Sequence, residues 1–157
     1  MKKTTQLGFA GVLPLVIGKG LSLFMLLPIT GWMLLPISTI LYFLWYRLAY
    51  RLFDEHRNLF IQSFLMCAFG LFMLLLLLFQ EFAVGYRWPN ILGVSCQLYF
   101  LPGLSITSFV LSPFLFGAKE AMRFWPLYLC EWIILFILCL IGGLIKRRDR
   151  ISFAVSS

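Results

Sequence analysis

Charge is scarce in this sequence, and that scarcity decides its class. Only 12% of the 157 residues are Asp, Glu, Lys or Arg, while 62% are hydrophobic; soluble domains carry about 25% charged residues. So few polar groups cannot cover a water-facing surface, so lipid has to be the solvent for much of the exterior.

Histidine is nearly absent, with His56 the single example. The four cysteines (Cys67, Cys96, Cys130, Cys139) all lie in apolar stretches and form no Cys-x-x-Cys pair. Metal and redox centres need clustered ligands at short spacings. No metal site and no cofactor is therefore expected, and the cysteines read as small hydrophobes. Catalytic signatures are missing too: no His-Glu-x-x-His, no Gly-x-Ser-x-Gly, no phosphate loop and no dinucleotide fingerprint. The apolar runs hold no paired acids or histidines of the kind an intramembrane hydrolase needs, so the chain is not expected to be an enzyme. Asp54-Glu55-His56 sets acids beside an imidazole, but neighbours on a turn do not converge on one atom. A solvated turn is expected there.

What is present is organised by long charge-free runs at 20–46, 58–80, 88–118 and 124–145, the last interrupted by Glu131. About 20 apolar residues cross a hydrocarbon core of ~30 Å. These runs predict an all-α integral membrane protein, a single bundle of about four transmembrane helices with short loops and no soluble domain. The approximate spans are 22–46, 58–80, 91–117 and 125–145. Tyr42, Trp45, Tyr46 and Tyr50 crowd the end of the first run, Tyr86 and Trp88 the start of the third, and Trp125, Tyr128 and Trp132 the start of the fourth. Such rings favour the headgroup zone. Asn58 and Asn90 suit the N-caps of the second and third helices, and 47–57 is expected to prolong the first by a turn or two.

Two alternatives to four spans are open. Residues 7–27 can form a separate span that contains Lys19 and turns back at Pro28-Ile29-Thr30-Gly31, giving five. Alternatively, Pro102-Gly103 can split the third run into a re-entrant pair. Met1-Lys2-Lys3 followed by the apolar 7–18 resembles a secretory signal, but Lys19 interrupts it and no small-residue cleavage site follows. Retention of this segment is expected.

Basic residues outnumber acids by 13 to 6, a formal charge of +7. They sit between or beyond the apolar runs, where they set topology and meet anionic lipid; no nucleic-acid partner is needed to explain them. In a four-span arrangement Lys2, Lys3, Lys19, Arg87, Lys146, Arg147, Arg148 and Arg150 share one side, and Arg47, Arg51, Arg57, Lys119 and Arg123 the other. That bias places both termini in the cytoplasm. The short loops, the Met-Lys-Lys start and the lack of any glycosylation sequon fit a bacterial plasma membrane.

Five residues are candidates for function inside the membrane. Glu131 lies within an apolar run, where an acid is costly and often faces a bundle interior or an ion path. It reads as a proton or cation site, as an interfacial acid if the span begins at Tyr128, or as an acid paired with Arg123 or Lys119. Lys19 either snorkels at the membrane edge or, with five spans, lies within the membrane and pairs with Glu131. Ser105, Ser108 and Ser112 recur at i, i+3, i+7, a face suited to close helix packing or to lining a pore. Pro14, Pro28, Pro36, Pro102 and Pro113 interrupt apolar stretches, each removing a helix hydrogen bond.

With spans and anchors but almost no polar constellation, the chain reads first as a non-enzymatic accessory or interaction subunit, packed against a larger membrane protein or a second copy. The alternative is a small oligomeric transporter or channel using Glu131.

Overall fold

The computed structural model of the chain describes residues 3–24, 31–54, 56–85, 91–115 and 125–156, with side chains over 5–23, 34–54, 56–85, 91–111 and 125–152. The described residues form six α-helices and no strand: α1 (Lys3–Ala10), α2 (Leu13–Phe24), α3 (Gly31–Leu52), α4 (Leu59–Phe79), α5 (Ile91–Leu115) and α6 (Trp125–Ser156). Four stretches among them are long and apolar enough to cross a membrane: Thr5–Leu23, Leu59–Val84, Ile91–Leu111 and Trp125–Ser152. The chain is an all-α membrane protein. Its long helices turn Phe43, Phe64, Phe72, Phe109 and Ile137 outward, the reverse of a water-soluble bundle.

Local signals explain most helix limits. The Asn58 side chain accepts the Phe60 N–H at 2.9 Å and caps α4, as its position predicted. Asn90 lies outside the described residues. α4 widens into a π-helical turn over Gln80–Val84 and stops at Gly85, whose φ of 76° is open to glycine. The turn between α3 and α4 is clamped by the buried Gln62 side chain. Its Oε1 accepts the Asp54 N–H at 2.5 Å, and its Nε2 donates to the Asp54 and Arg57 carbonyls at 2.8 and 3.3 Å. His56 is exposed on that turn, as expected; Glu55 lies outside the described residues.

The expected span 22–46 does not coincide with one helix. Ser22 belongs to the end of α2, whereas α3 begins at Gly31 and runs on to Leu52; 25–30 lie outside the described residues. A charge-free interval marks chain that lipid tolerates, and two helices can share one. The N-terminal apolar segment thus stands as its own candidate span, with Lys19 inside it. The 22 residues of α3 are long enough to cross at ~1.5 Å each, but Ser38, Thr39, Tyr42 and Tyr46, with Arg47 and Arg51, make it more polar than α4 and α5. Pro102-Gly103 does not divide α5, which is one helix through both residues.

Helix directions follow from paired contacts. α3 and α6 run parallel: Tyr42 meets Glu131, the Trp45 indole donates to the Leu135 carbonyl at 3.2 Å, and Tyr50 reaches Asp149 at 3.0 Å. α4 and α6 run antiparallel, with Phe60 against Phe136, the Trp132 indole on the Cys67 carbonyl and Phe82 against Trp125. α5 behaves differently. Between 96 and 103 it passes from α4 (Cys96 on Met73) to α6 (Phe100 on Tyr128) and reaches α3 (Tyr42 near the Gly103 carbonyl). Within two turns α5 thus touches α4, α6 and α3. α2 packs along it. Pro102 has no N–H for the Leu98 carbonyl, and that carbonyl abuts Gly18, where an added Cβ would lie 1.8 Å from the oxygen.

This geometry regroups the basic residues. The turn after α3 and the end of α6 meet: Lys146 Nζ donates to the Phe53 carbonyl at 2.7 Å and Arg147 Nη2 to that of Arg57. Arg47, Arg51 and Arg57, assigned on sequence to the side opposite the C-terminal run 146–150, therefore share an end with it. Counting each apolar run as one full crossing misplaced them. At this end the Asp149 carboxylate holds the Tyr50 phenol above its ordinary pKa by accepting its hydrogen bond.

The aromatic belt is likewise redistributed. Trp45 and Tyr128 are 3% and 5% exposed, interior residues whose polar tips or ring edges are used between helices. The cysteines fit the expectation better: Cys67, Cys96 and Cys139 are buried, and Cys130 is half-buried.

Candidate functional site

Glu131 stands in the second turn of α6 and is 2% exposed. Lipid does not cover it, because α3 and α5 do. The Tyr42 hydroxyl, one turn beyond Ser38 on α3, donates to Glu131 Oε2 and also lies 3.5 Å from the Gly103 carbonyl. Gly103 makes the space for the carboxyl. A Cβ at that position would fall 1.7 Å from Oε1, 2.0 Å from Cδ and 2.2 Å from Oε2, so no other residue type leaves the carboxyl where it is.

Hydroxyls surround the Pro102-Gly103 pair. Ser38 contacts the Pro102 carbonyl, the Leu34 carbonyl at 2.7 Å and the Ser105 hydroxyl at 2.5 Å. Ser105 lies 3.3 Å from the Leu34 carbonyl, and Thr107 donates to that of Gly103 at 3.1 Å. Each hydroxyl has one hydrogen to give, so Ser38 and Ser105 share two donors among the Leu34 carbonyl, the Pro102 carbonyl and the bond between the two hydroxyls. The ladder welds α3 to α5 beside the acid. Such interhelical bonds carry weight in lipid, where burial of apolar surface no longer drives helices together.

A cavity of about 30 Å³ adjoins the carboxyl, bounded by α2 (Leu13, Pro14, Ile17), α3 (Tyr42, Trp45), α5 (Tyr99, Pro102) and α6 (Glu131, Leu135). One water needs ~10–15 Å³ on this measure. The space therefore accommodates one or two waters and excludes an organic solute. Tyr99 closes one wall with its ring tilted against Phe69 and edge-on to Phe100, and its buried hydroxyl has no hydrogen-bond partner.

The five candidate residues separate. Glu131 and Ser105 join one polar cluster. Lys19 is exposed on the outer side of α2 and does not reach Glu131. Ser108 is exposed as well, turned back onto the Ser105 carbonyl at 3.1 Å, so of these two serines only Ser105 joins the cluster. The side chain of Ser112 lies outside the described residues, as do Arg123 and Lys119. No group of three or more His, Cys, Asp or Glu side chains suited to a metal occurs among the described residues. Sequence reasoning missed Tyr42, Ser38, Thr107 and Gly103. The i, i+4 spacing of Ser38 and Tyr42 inside an apolar run was the signal available for the first two.

The fold and this cluster define a helical membrane protein with a buried, hydrogen-bonded acid. Compared with protein families, curated proteins and solved structures, the chain matches none of them.

Proposed function

We propose that this chain is a non-enzymatic, multi-pass protein of the plasma membrane in which Glu131 binds and releases a proton, making it a small proton-handling channel or carrier. The observation that carries this reading is Glu131 itself, buried at the junction of α3, α5 and α6 beside a water-sized cavity. An acid within apolar helices is costly, and a surface ion pair does not account for one that is 2% exposed. Tyr42 is its hydrogen-bonding partner, positioned to hold the carboxyl in one orientation while water in the cavity exchanges the proton. Only groups of water size fit, which favours a proton over a solute. The basic end formed by Arg47, Arg51, Arg57 and 146–150 supports a cytoplasmic location for the C-terminus, and Lys2 and Lys3 favour the same side for the N-terminus.

The test is proton uptake by proteoliposomes under an imposed potential, read with an entrapped pH dye. Wild-type protein is expected to acidify the lumen, and Glu131→Gln to abolish this while inserting normally. Equal uptake by the two, or none by wild type, would overturn the reading.

One observation favours a second reading, the accessory subunit expected first from the sequence. A cavity of about 30 Å³ leaves no visible solute path, which suits a bundle that works by binding a larger membrane protein or another copy of itself. Mild-detergent purification separates the two: a stoichiometric membrane partner, with Glu131→Gln leaving its capture intact, supports the subunit.

A further inference from the structure

Sulfur is concentrated along one side of α4. Met66, Cys67 and Met73 of that helix meet Cys139 of α6 and Cys96 of α5, and all five residues are buried. Cys67 Sγ lies 3.8 Å from Cys139 Sγ, and Met66 Sδ lies 3.6 Å from that same thiol. Met73 Sδ lies 3.5 Å from Cys96 Sγ. Cys139 therefore touches a thiol and a thioether carried by two adjacent residues of the facing helix. Spacing along the chain hides this set, because its members on α4 and α6 stand 72 and 73 positions apart.

The separations suit a shared ion as well as close packing. Metal–thiolate bonds are about 2.3 Å long. Two donors at that length, set 3.6–3.8 Å apart, subtend about 100–110° at the ion, close to the tetrahedral angle. Cys139 is common to both pairs, so an ion held by it has a second thiol and a thioether within reach. The Trp132 indole donates to the Cys67 carbonyl at 3.2 Å, and Phe136 packs on both Trp132 and Phe60. These contacts fix α4 against α6 around the three sulfurs.

The donor set also selects the ion. Zn(II) takes four ligands from thiolate, imidazole and carboxylate, and no group of three such side chains occurs among the described residues. Thiolate with thioether is the combination that favours Cu(I). We propose that Cys67, Cys139 and Met66 bind one Cu(I) ion between α4 and α6. One thiol gives its proton to water as the ion binds, so the ion and its thiolate are together neutral, which limits the cost of burying charge. The second thiol and the thioether bind as neutral donors, and no electron is transferred. The site does not include Glu131 and stands whether or not the chain handles protons.

The experiment uses the full chain in detergent, reduced and kept free of oxygen. It is titrated with Cu(I) in competition with the chromogenic chelator bicinchoninate, and separately with Zn(II). Wild type is expected to retain one Cu(I) per chain and no Zn(II). Cys67→Ala, Cys139→Ala and Met66→Leu should each weaken retention at least about tenfold. Cys130→Ala, which removes a thiol outside the cluster, should leave it unchanged. No Cu(I) on wild type, equal retention of Zn(II), unchanged retention in any of the three cluster variants, or equal loss in Cys130→Ala would overturn the site. Far-ultraviolet circular dichroism confirms that each variant is folded. Should Cys139→Ala fail to fold, Cys67→Ala carries the same comparison.

Discussion

Gly103→Ala is the sharpest probe of how the acid is housed. The new methyl would lie within 1.7–2.2 Å of all three terminal atoms of the Glu131 carboxyl, so rotating one oxygen away does not relieve it. Restoring a ~3.5 Å separation requires the carboxyl to move by roughly 1.5–2 Å, which breaks the bond from Tyr42. Overpacking of this kind costs about 1–3 kcal/mol, and the interhelical hydrogen bond contributes about 1–2 kcal/mol more. Alanine in place of glycine returns up to ~1 kcal/mol through helix propensity. The net expectation is a loss of about 1–5 kcal/mol, measured by unfolding in mixed detergent micelles and followed by tryptophan fluorescence. The same substitution in a Glu131→Ala background meets no carboxyl, so there it should be neutral or stabilising by up to ~1 kcal/mol. A Gly103→Ala protein as stable as wild type, or one equally destabilised in both backgrounds, would refute the placement of Glu131 against Gly103.

Three further outcomes follow from named contacts. Tyr42→Phe removes the donor to Glu131 and should cost about 1–2 kcal/mol, while slowing proton uptake in the liposome assay; unchanged values for both would show that the pair is not coupled. Gln62→Leu deletes three hydrogen bonds to the 54–57 turn, each worth about 0.5–1.5 kcal/mol. Amide exchange over that turn should accelerate markedly, and retained protection would count against the clamp. Lys19→Gln touches an exposed residue and should alter stability by less than about 0.5 kcal/mol with no change in proton uptake, whereas a large loss in either would place Lys19 in a contact that the fold does not give it.

Several features were legible in the residues because they depend on neighbours only a few positions away. Asn58 caps α4 because its side chain reaches an amide two residues on, and the starts of α5 and α6 fall where the third and fourth expected spans begin. The first run failed for a related reason. The rule used there asked whether charge was absent, and an interruption between two apolar helices needs no charge. Tyr42, Trp45 and Tyr128 were read as interfacial rings on their proximity to run ends. That proximity sets depth in the bilayer but says nothing of which way a ring faces. Trp45 turns inward because the Leu135 carbonyl of α6 is there to accept its N–H.

The residues alone determined that the chain lives in lipid, that its structure is helical, and that one acid, Glu131, lies within the apolar sequence. These follow from composition and from the length of uncharged runs, which no folding can change. Tertiary structure decided what the acid meets, since Tyr42 is 89 positions away in sequence, and which basic residues share an end, since Lys146 and Arg147 reach carbonyls of the distant segment 51–57. Both depend on the angles at which helices pack. Small residues such as Gly18 and Gly103 permit the close approaches, and their positions reveal one only when the partner is in place.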